Sequence, residues 1–528
     1  MLLILFVLAM LGLWMLPVFL MGYPYSLSLI IHTARNLSET GVLDNSYLRL
    51  TGIIAWLVHP LLSWDNLIGW TAVSAAGFAL ALLPWWWSVR QLFDVRVAWL
   101  STVILALMPL YWVEALDLGG YSFALFFLFL CFAFFIKFFP QRRITAMIIC
   151  GICFGAVLGS HYTFVTFLPW FVLAFIWHER RHLLRALLNA GIFCGVAYIA
   201  FALPLLPNAL QPGMSAMERV VVFLPPLSGA TPGIGHIYPD EYIFMHYRDE
   251  YDATIKERVA DESFFGQQED RHYRLIFGVG DFNIIDKITT GTWLFLNSLS
   301  SLVMQETIGG AFLWLFILPG IVILWKRNRA LLLYILGLWL SMEFFVRFVL
   351  NFGRLHLNDI GWVLALFAGV GASFIVATLT REWAPKRSAI LAVVMALIIS
   401  LQLIQANRKL LAFHYSRSYV PEVYAAAEAL QSVPGDAIVA NPRRSELFFF
   451  SPHTSVNIHA PTIDFLAERG ELAKPFIFYG VTHILGYNQE QTRQIIQAVP
   501  EIKVVSLPAE PPAISVTPFI RYLLHLVR

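Results

Sequence analysis

Apolar runs close to the roughly 20 residues that cross a hydrocarbon core recur along this chain, separated by polar breaks. They predict eleven spans, near 2–22, 67–87, 97–113, 120–137, 145–160, 162–177, 187–206, 308–325, 330–350, 360–379 and 388–405. The fifth and sixth share one apolar stretch, divided at Gly159-Ser160-His161. The break after the first span has a period of its own. Leu27, Ile30, Ile31, Ala34 and Leu37 recur at helical spacing, with His32, Arg35, Asn36 and Glu39 opposite them. Gly41 stands where a helix C-cap glycine would. The pattern predicts a short amphipathic helix lying on the membrane surface. Thr289–Thr307 predicts an interfacial helix that leads back into the membrane.

Beyond residue 407 the pattern changes to alternating helical and strand signals. Pro421–Val433 has helical period, Asp436–Ala440 reads as a strand after a Pro-Gly turn, and Ile463–Leu472 as a helix. Pro475–Tyr479 reads as a second strand and Asn488–Val499 as a helix, with Asn488 as N-cap and Gln491 three residues on. Lys503–Ser506 reads as a third strand. Alternation of this kind predicts a small α/β domain. It has no Gly-rich phosphate loop, which argues against a nucleotide site. The fold predicted is a polytopic α-helical membrane protein with a small C-terminal α/β domain. The membrane domain covers 1–406, with large external loops at 23–66 and 207–291, and the α/β domain covers 407–528.

Composition agrees with this class. Hydrophobic residues make up 58% of the chain and charged ones 13%, against about 25% charged in soluble domains; mean hydropathy is +0.68. A formal net charge of +2 gives no reason to expect a nucleic-acid partner. Leu2–Met21 lacks a basic start and a small-residue cleavage site, so it reads as a retained span. The four cysteines, Cys131, Cys150, Cys153 and Cys194, all fall in apolar runs. They read as small buried hydrophobes, and imply neither a metal site nor a disulfide framework.

Lys and Arg in short loops set orientation. Arg90, Arg96, Lys137, Arg142, Arg143, Arg180, Arg181, Arg185, Lys326, Arg327, Arg329, Arg381, Lys386 and Arg387 collect on one side. The opposite loops hold none in Glu114–Gly119 and Arg354 alone in Asn351–Asp359. This expects a cytoplasmic N-terminus in the plasma membrane, and long segments and a C-terminal domain that face outward.

The wording of the first loop is more specific than its period. Ala34-Arg35-Asn36-Leu37-Ser38-Glu39-Thr40-Gly41 resembles the first external loop of the GT-C superfamily of membrane glycosyltransferases, in the protein mannosyltransferase and aminoarabinose transferase branch. That branch carries an acidic residue about eight positions before the Ala-Arg pair; here Ser26 and Leu27 stand in that region. The resemblance implies transfer of a sugar from a polyprenyl-phosphate donor, at the outer face of the membrane, to an acceptor glycan, lipid or protein.

Several residues are candidates for that chemistry. Asp117 and Glu114, three apart in the second external loop, are spaced to share one helical face, and a carboxylate in an apolar setting is costly unless used or paired. Asp44 is the nearest acid to the amphipathic helix and, with Asp65, an alternative base. The family resemblance implies that an arginine before a late span contacts the lipid phosphate, which points to Arg354, with His356 beside it; guanidinium geometry suits phosphate oxygens. His161 and Arg35 are further candidates for substrate binding. Glu343 and Arg347 lie at i and i+4 within a span and are expected to pair with each other. No cofactor is fixed by the sequence. A divalent metal stays open, without a strict Asp-x-Asp motif to support it. Ser26 at the family's acidic position keeps a second reading open, a non-catalytic relative that binds lipid-linked glycan or a partner. A third reading, a transporter or glycan polymerase, lacks an internal repeat.

Overall fold

The structure is a computed structural model. It describes residues 1–21, 37–38, 49–62, 67–116, 121–138, 144–210, 284–302, 308–349, 361–383, 385–416, 426, 429–430, 432–442, 454–458 and 460–506. The amphipathic stretch after the first span, except Leu37 and Ser38, and most of the segment predicted at 207–291 lie outside them.

The apolar runs form a helical bundle. Its helices are α1 (Leu2–Met21), α2 (Arg49–Val58), α3 (Leu67–Leu92), α4 (Val95–Leu107), α5 (Pro109–Leu116), α6 (Tyr121–Phe138) and α7 (Ile144–Ser160). They continue with α8 (Leu168–His178), α9 (Leu183–Ala202), α10 (Ile284–Ser301), α11 (Trp314–Arg327), α12 (Arg329–Phe344), α13 (Gly361–Leu379) and α14 (Pro385–Ser416). Among the described residues five helices are long and apolar enough to cross a membrane: 69–92, 183–205, 329–348, 361–379 and 387–408. Shorter apolar helices cover most of the other predicted spans. The protein is therefore a membrane protein.

Three departures from the sequence pattern have physical causes. The single span predicted at 97–113 is two helices, because Met108 precedes Pro109 and adopts an extended conformation (φ −63°, ψ 128°), as a residue before proline tends to. The break frees carbonyls that lipid cannot satisfy. Trp14 Nε1 donates to Ala106 O at 3.2 Å and Asn407 Nδ2 to Leu107 O at 2.6 Å. The second departure is α2, a helix inside the first predicted loop. The third lies after His161, where a 3-10 turn, Tyr162–Phe167, intervenes before α8.

Lipid tails are as apolar as leucine, so close approach through small residues drives helix association here. A Cβ added at Gly320 of α11 would lie 1.9 Å from the Phe367 carbonyl oxygen, and one at Gly371 of α13 1.9 Å from that of Phe316. On α7 a Cβ at Gly155 would lie 2.4 Å from Ala197 O of α9. Aromatic rings fill the remaining core, with Trp85, Phe129 and Trp362 packed edge to face or tilted at 4.9–6.3 Å.

The C-terminal residues build a four-stranded sheet from β1 (Ile438–Asn441), β2 (Thr454–Asn457), β3 (His483–Leu485) and β4 (Lys503–Val505), in the order β2-β1-β3-β4. All pairings are parallel, with Ala440 opposite Val456 and Ile484, and Ile484 opposite Val504. The crossovers contain α15 (Ala460–Glu468), α16 (Ala473–Phe478) and α17 (Gln489–Ala498). Asn488 caps α17 as expected, accepting from Gln491 N at 2.8 Å. The strand predicted at Pro475–Tyr479 is wrong: residues 473–478 are helical. Pro475 falls in the first helical turn, where a missing N–H costs nothing. Phe476 is buried while Ile477 and Phe478 are both exposed, which breaks the alternation a strand needs.

Candidate functional site at the loop end of the bundle

The described residues that flank segments 117–120 and 350–360, and those that close the first predicted loop, come together in a closed ring of contacts. α5, which carries Glu114, ends at Leu116, and α6 begins at Tyr121. The Tyr121 ring stacks on His161 at 4.2 Å, with 26° between planes, which joins the start of α6 to the end of α7. A Cβ on Gly159 would meet Leu50 of α2 at 3.3 Å, so the close of the first loop lies there too. The turn after His161 and α8 both reach α12: Ser341 Oγ, which donates to Leu338 O at 3.0 Å, lies 3.4 Å from Thr166 O, and Trp170 Nε1 donates to Ser341 Oγ at 3.1 Å. The chain then passes through 350–360 to α13. The ring closes when the backbone N–H of Trp362 donates to the Tyr111 hydroxyl of α5 at 2.7 Å.

Local sequence accounts for each member. Gly361 begins α13 because a Cβ there would lie 3.0 Å from the Tyr111 hydroxyl oxygen and 2.9 Å from Leu110 Cδ2. Tyr111 is itself held by stacking on Phe78 at 5.3 Å, with planes 18° apart. His161 has an extended backbone (φ −156°, ψ 109°) between α7 and the 3-10 turn. It is buried, and its Nδ1 lies 2.6 Å from Thr163 Oγ1. Polar groups gather at this end. The Ser74 and Ser122 hydroxyls bond at 3.0 Å. The hydroxyls of Thr51, Thr71 and Ser160 and the indole N–H of Trp112 are buried with no hydrogen-bond partner among the described residues. Orphaned groups of this kind call for an explanation, and a polar ligand is one.

Of the residues singled out from sequence, His161 is fully described and lies in this ring. Glu114 lies on α5, whose end borders it. Asp117, Asp44, Asp65, Arg35, Arg354 and His356 lie outside the described residues. Glu343 and Arg347 pair as expected, Arg347 Nε to Glu343 Oε2 at 3.0 Å, and both side chains are buried. Sequence reasoning missed Tyr111, whose partner is 251 positions away. Among the described residues no three His, Cys, Asp or Glu side chains group so as to hold a metal ion.

No protein-family model matches the chain, and no curated protein sequence matches it. Solved structures do. The oligosaccharyltransferase AglB from Archaeoglobus fulgidus, in complex with an inhibitory peptide and a dolichol-phosphate, aligns over 91% of this chain and 69% of its own, with 14% identity and a TM-score of 0.54. Its apo form aligns over 90% and 69%, with 13% identity and a TM-score of 0.53. ArnT from Cupriavidus metallidurans, bound to undecaprenyl phosphate, aligns over 95% of this chain and 89% of its own, with 12% identity and a TM-score of 0.51. At these identities the likeness is one of architecture, and this chain shares the fold of those two proteins.

Proposed function

We propose that the protein transfers a sugar from a polyprenyl-phosphate donor to an acceptor glycan, lipid or protein at the outer face of the cytoplasmic membrane. The observation that carries this reading is the ring of contacts at one end of a bundle with GT-C architecture. Two solved proteins of that architecture hold a dolichol-phosphate and undecaprenyl phosphate. A donor with a lipid tail needs a site among spans, and a buried ring of hydroxyls suits a sugar. In this reading eleven spans cross the membrane, with the N-terminus inside and the 407–528 domain outside, as the Lys/Arg distribution supports.

In this reading the chemistry divides among the segments whose flanking helices meet in the ring. Arg354 holds the donor phosphate and stabilises the charge that develops as it leaves. Asp117 or Asp44 takes the proton from the acceptor, with Glu114 beside Asp117, and within about 3 Å of the acceptor hydroxyl. His161, His356 and Arg35 contact donor or acceptor. Polyprenyl-phosphate sugars offered to the purified protein in nanodiscs test the reading: release of free polyprenyl phosphate with acceptor present is the expected result. Donor binding with no release would favour the non-catalytic reading, which Ser26 at the family's acidic position supports. No binding of any polyprenyl phosphate would sink both.

A further inference from the structure

The end of the bundle away from the ring carries cations that the proposed chemistry does not use. Four of them lie over tryptophan rings, Arg90 on Trp86, Lys137 on Trp87, Arg180 on Trp177 and Arg329 on Trp325, at 4.9–5.3 Å from the ring centroid. One corner of this end is built further, where α1, α3 and α4 meet. Trp86 of α3 packs edge to face on Trp99 of α4 at 5.8 Å, and Trp99 packs on Phe6 of α1 at 5.8 Å. All three rings are half-buried, so the wall they form keeps an outward side. Leu2 and Leu5 of α1, and Leu92 and Val95 at the turn from α3 to α4, are exposed. Arg90 follows Trp86 by one helical turn, and Arg96 precedes Trp99 by one. α3 arrives at this end and α4 departs from it, so both cations stand beyond the same ring contact. Ser74, whose bond to Ser122 lies by the candidate site, is on α3 about 24 Å before Arg90, at 1.5 Å per residue.

We propose that this corner binds an anionic phospholipid, with its phosphate on Arg90 and Arg96 and an acyl chain along Phe6, Trp99 and Trp86. A guanidinium fork matches phosphate oxygens, and tryptophan favours the depth where headgroup meets hydrocarbon. Stacking holds the Arg90 plane on Trp86 at that depth and leaves the N–H groups on its rim for a ligand. Arg96 is fixed by a single bond, Nη2 to Ser388 Oγ at 3.1 Å, and that hydroxyl lies 2.9 Å from Thr380 Oγ1. Arg387, beside Ser388, is exposed and adds positive charge. Asp94, the acid between the two arginines in sequence, is engaged with backbone: its Oδ1 accepts from Arg96 N at 2.7 Å and Val97 N at 2.8 Å, as the N-cap of α4. Among the described residues ion pairs form at Arg185, Arg347, Lys474 and Arg493, and at neither Arg90 nor Arg96. The corner is separate from the donor site, and the proposal does not depend on the transfer reaction. With the N-terminus inside, it faces the leaflet in which anionic lipids attract basic segments.

The test is titration of the full chain in detergent with dioleoylphosphatidylglycerol, its adducts read by native mass spectrometry. Wild type is expected to show a saturable adduct that dioleoylphosphatidylcholine, which has no net charge, does not reproduce. Arg90→Gln should weaken it about fivefold, and Arg90→Gln with Arg96→Gln about 25-fold, at the usual worth of one basic side chain near an anionic lipid surface. Arg90→Lys keeps the charge and should recover most of the loss. Arg180→Gln with Arg329→Gln removes two arginines stacked on tryptophan on other helices, and should change the affinity less than about twofold. An equal loss in that control would overturn the corner in favour of a diffuse basic belt. Unchanged affinity in Arg90→Gln would overturn it outright, and that variant decides alone if the double does not fold, since Arg90 is exposed and the Arg96 bond to Ser388 stays in place. Inorganic phosphate and soluble glycerophosphoglycerol at millimolar concentration are expected to leave the adduct intact. Displacement by either would make this a site for free phosphate and refute the lipid.

Discussion

Replacing Tyr111 by Phe removes one oxygen atom from the core of the loop end. That oxygen accepts the Trp362 N–H at 2.7 Å, and both residues are buried. The ring remains, so no cavity forms and the stack on Phe78 is kept. The substitution takes the acceptor from a backbone donor in the first turn of α13. Depriving a buried donor of its acceptor costs about 1–3 kcal/mol, or roughly a 5- to 150-fold fall in the folded population at 1.4 kcal/mol per factor of ten. The bond also ties α5 to α13 across the ring, so donor binding should weaken along with stability. The assay is unfolding in mixed micelles under increasing denaturing detergent, with undecaprenyl phosphate affinity measured on the same preparations. A stability change under about 0.5 kcal/mol, the range of an ordinary surface substitution, would refute the claim that this hydroxyl closes the ring.

Gly320→Ala should cost about 1–3 kcal/mol or more, because its Cβ would fall 1.9 Å from the Phe367 carbonyl. Gly12→Ala, with nothing within 4 Å of the new Cβ, should be neutral or gain up to about 1 kcal/mol of helix propensity in the same assay. His161→Phe keeps an aromatic ring against Tyr121 and loses the bond to Thr163; transfer should fall with little change in melting temperature, and unaltered transfer would leave His161 a packing residue. Arg354→Ala should weaken donor binding more than Arg354→Lys, which retains charge without the fork. Asp117→Asn and Asp44→Asn, assayed separately at matched protein level, should reveal one base by a fall of about 10²–10⁴ in rate; less than tenfold for both would reject the assignment.

Much of the membrane domain was legible because its signal is long. Runs near 20 apolar residues cannot be mistaken for strands, and the break at Gly159-Ser160-His161 falls where α7 ends. The i, i+4 spacing of Glu343 and Arg347 announced their pairing. The approach of Glu343 to Ser298, 45 positions away, announced nothing, because no local period encodes it. The α/β region was harder for the opposite reason. β2 is Thr-Ser-Val-Asn and β3 is three residues long, too polar or too short to rise above a loop. The apolar run at 475–479 had the composition of a strand, but burial of the adjacent Pro475 and Phe476 with Ile477 and Phe478 exposed is a helical pattern. Of the candidate site, sequence could name residue types, whereas the ring of helix ends depends on Tyr111–Trp362 and Tyr121–His161 contacts between distant segments.

The glycine contacts between α11 and α13 and between α7 and α9 bear on how the molecule responds to cold. In lipid the helices are held by dispersion and shape, because moving an apolar side chain from bilayer to bundle releases no water. The sheet region is built the other way, around Ile463, Leu466, Phe476, Ile484 and Ile495, whose burial draws its strength from water and weakens on cooling. Chilling should therefore loosen the α/β part first while the bundle keeps its grip, and a relative adapted to low temperature would need to alter that small hydrophobic core and could leave the glycine seams as they are.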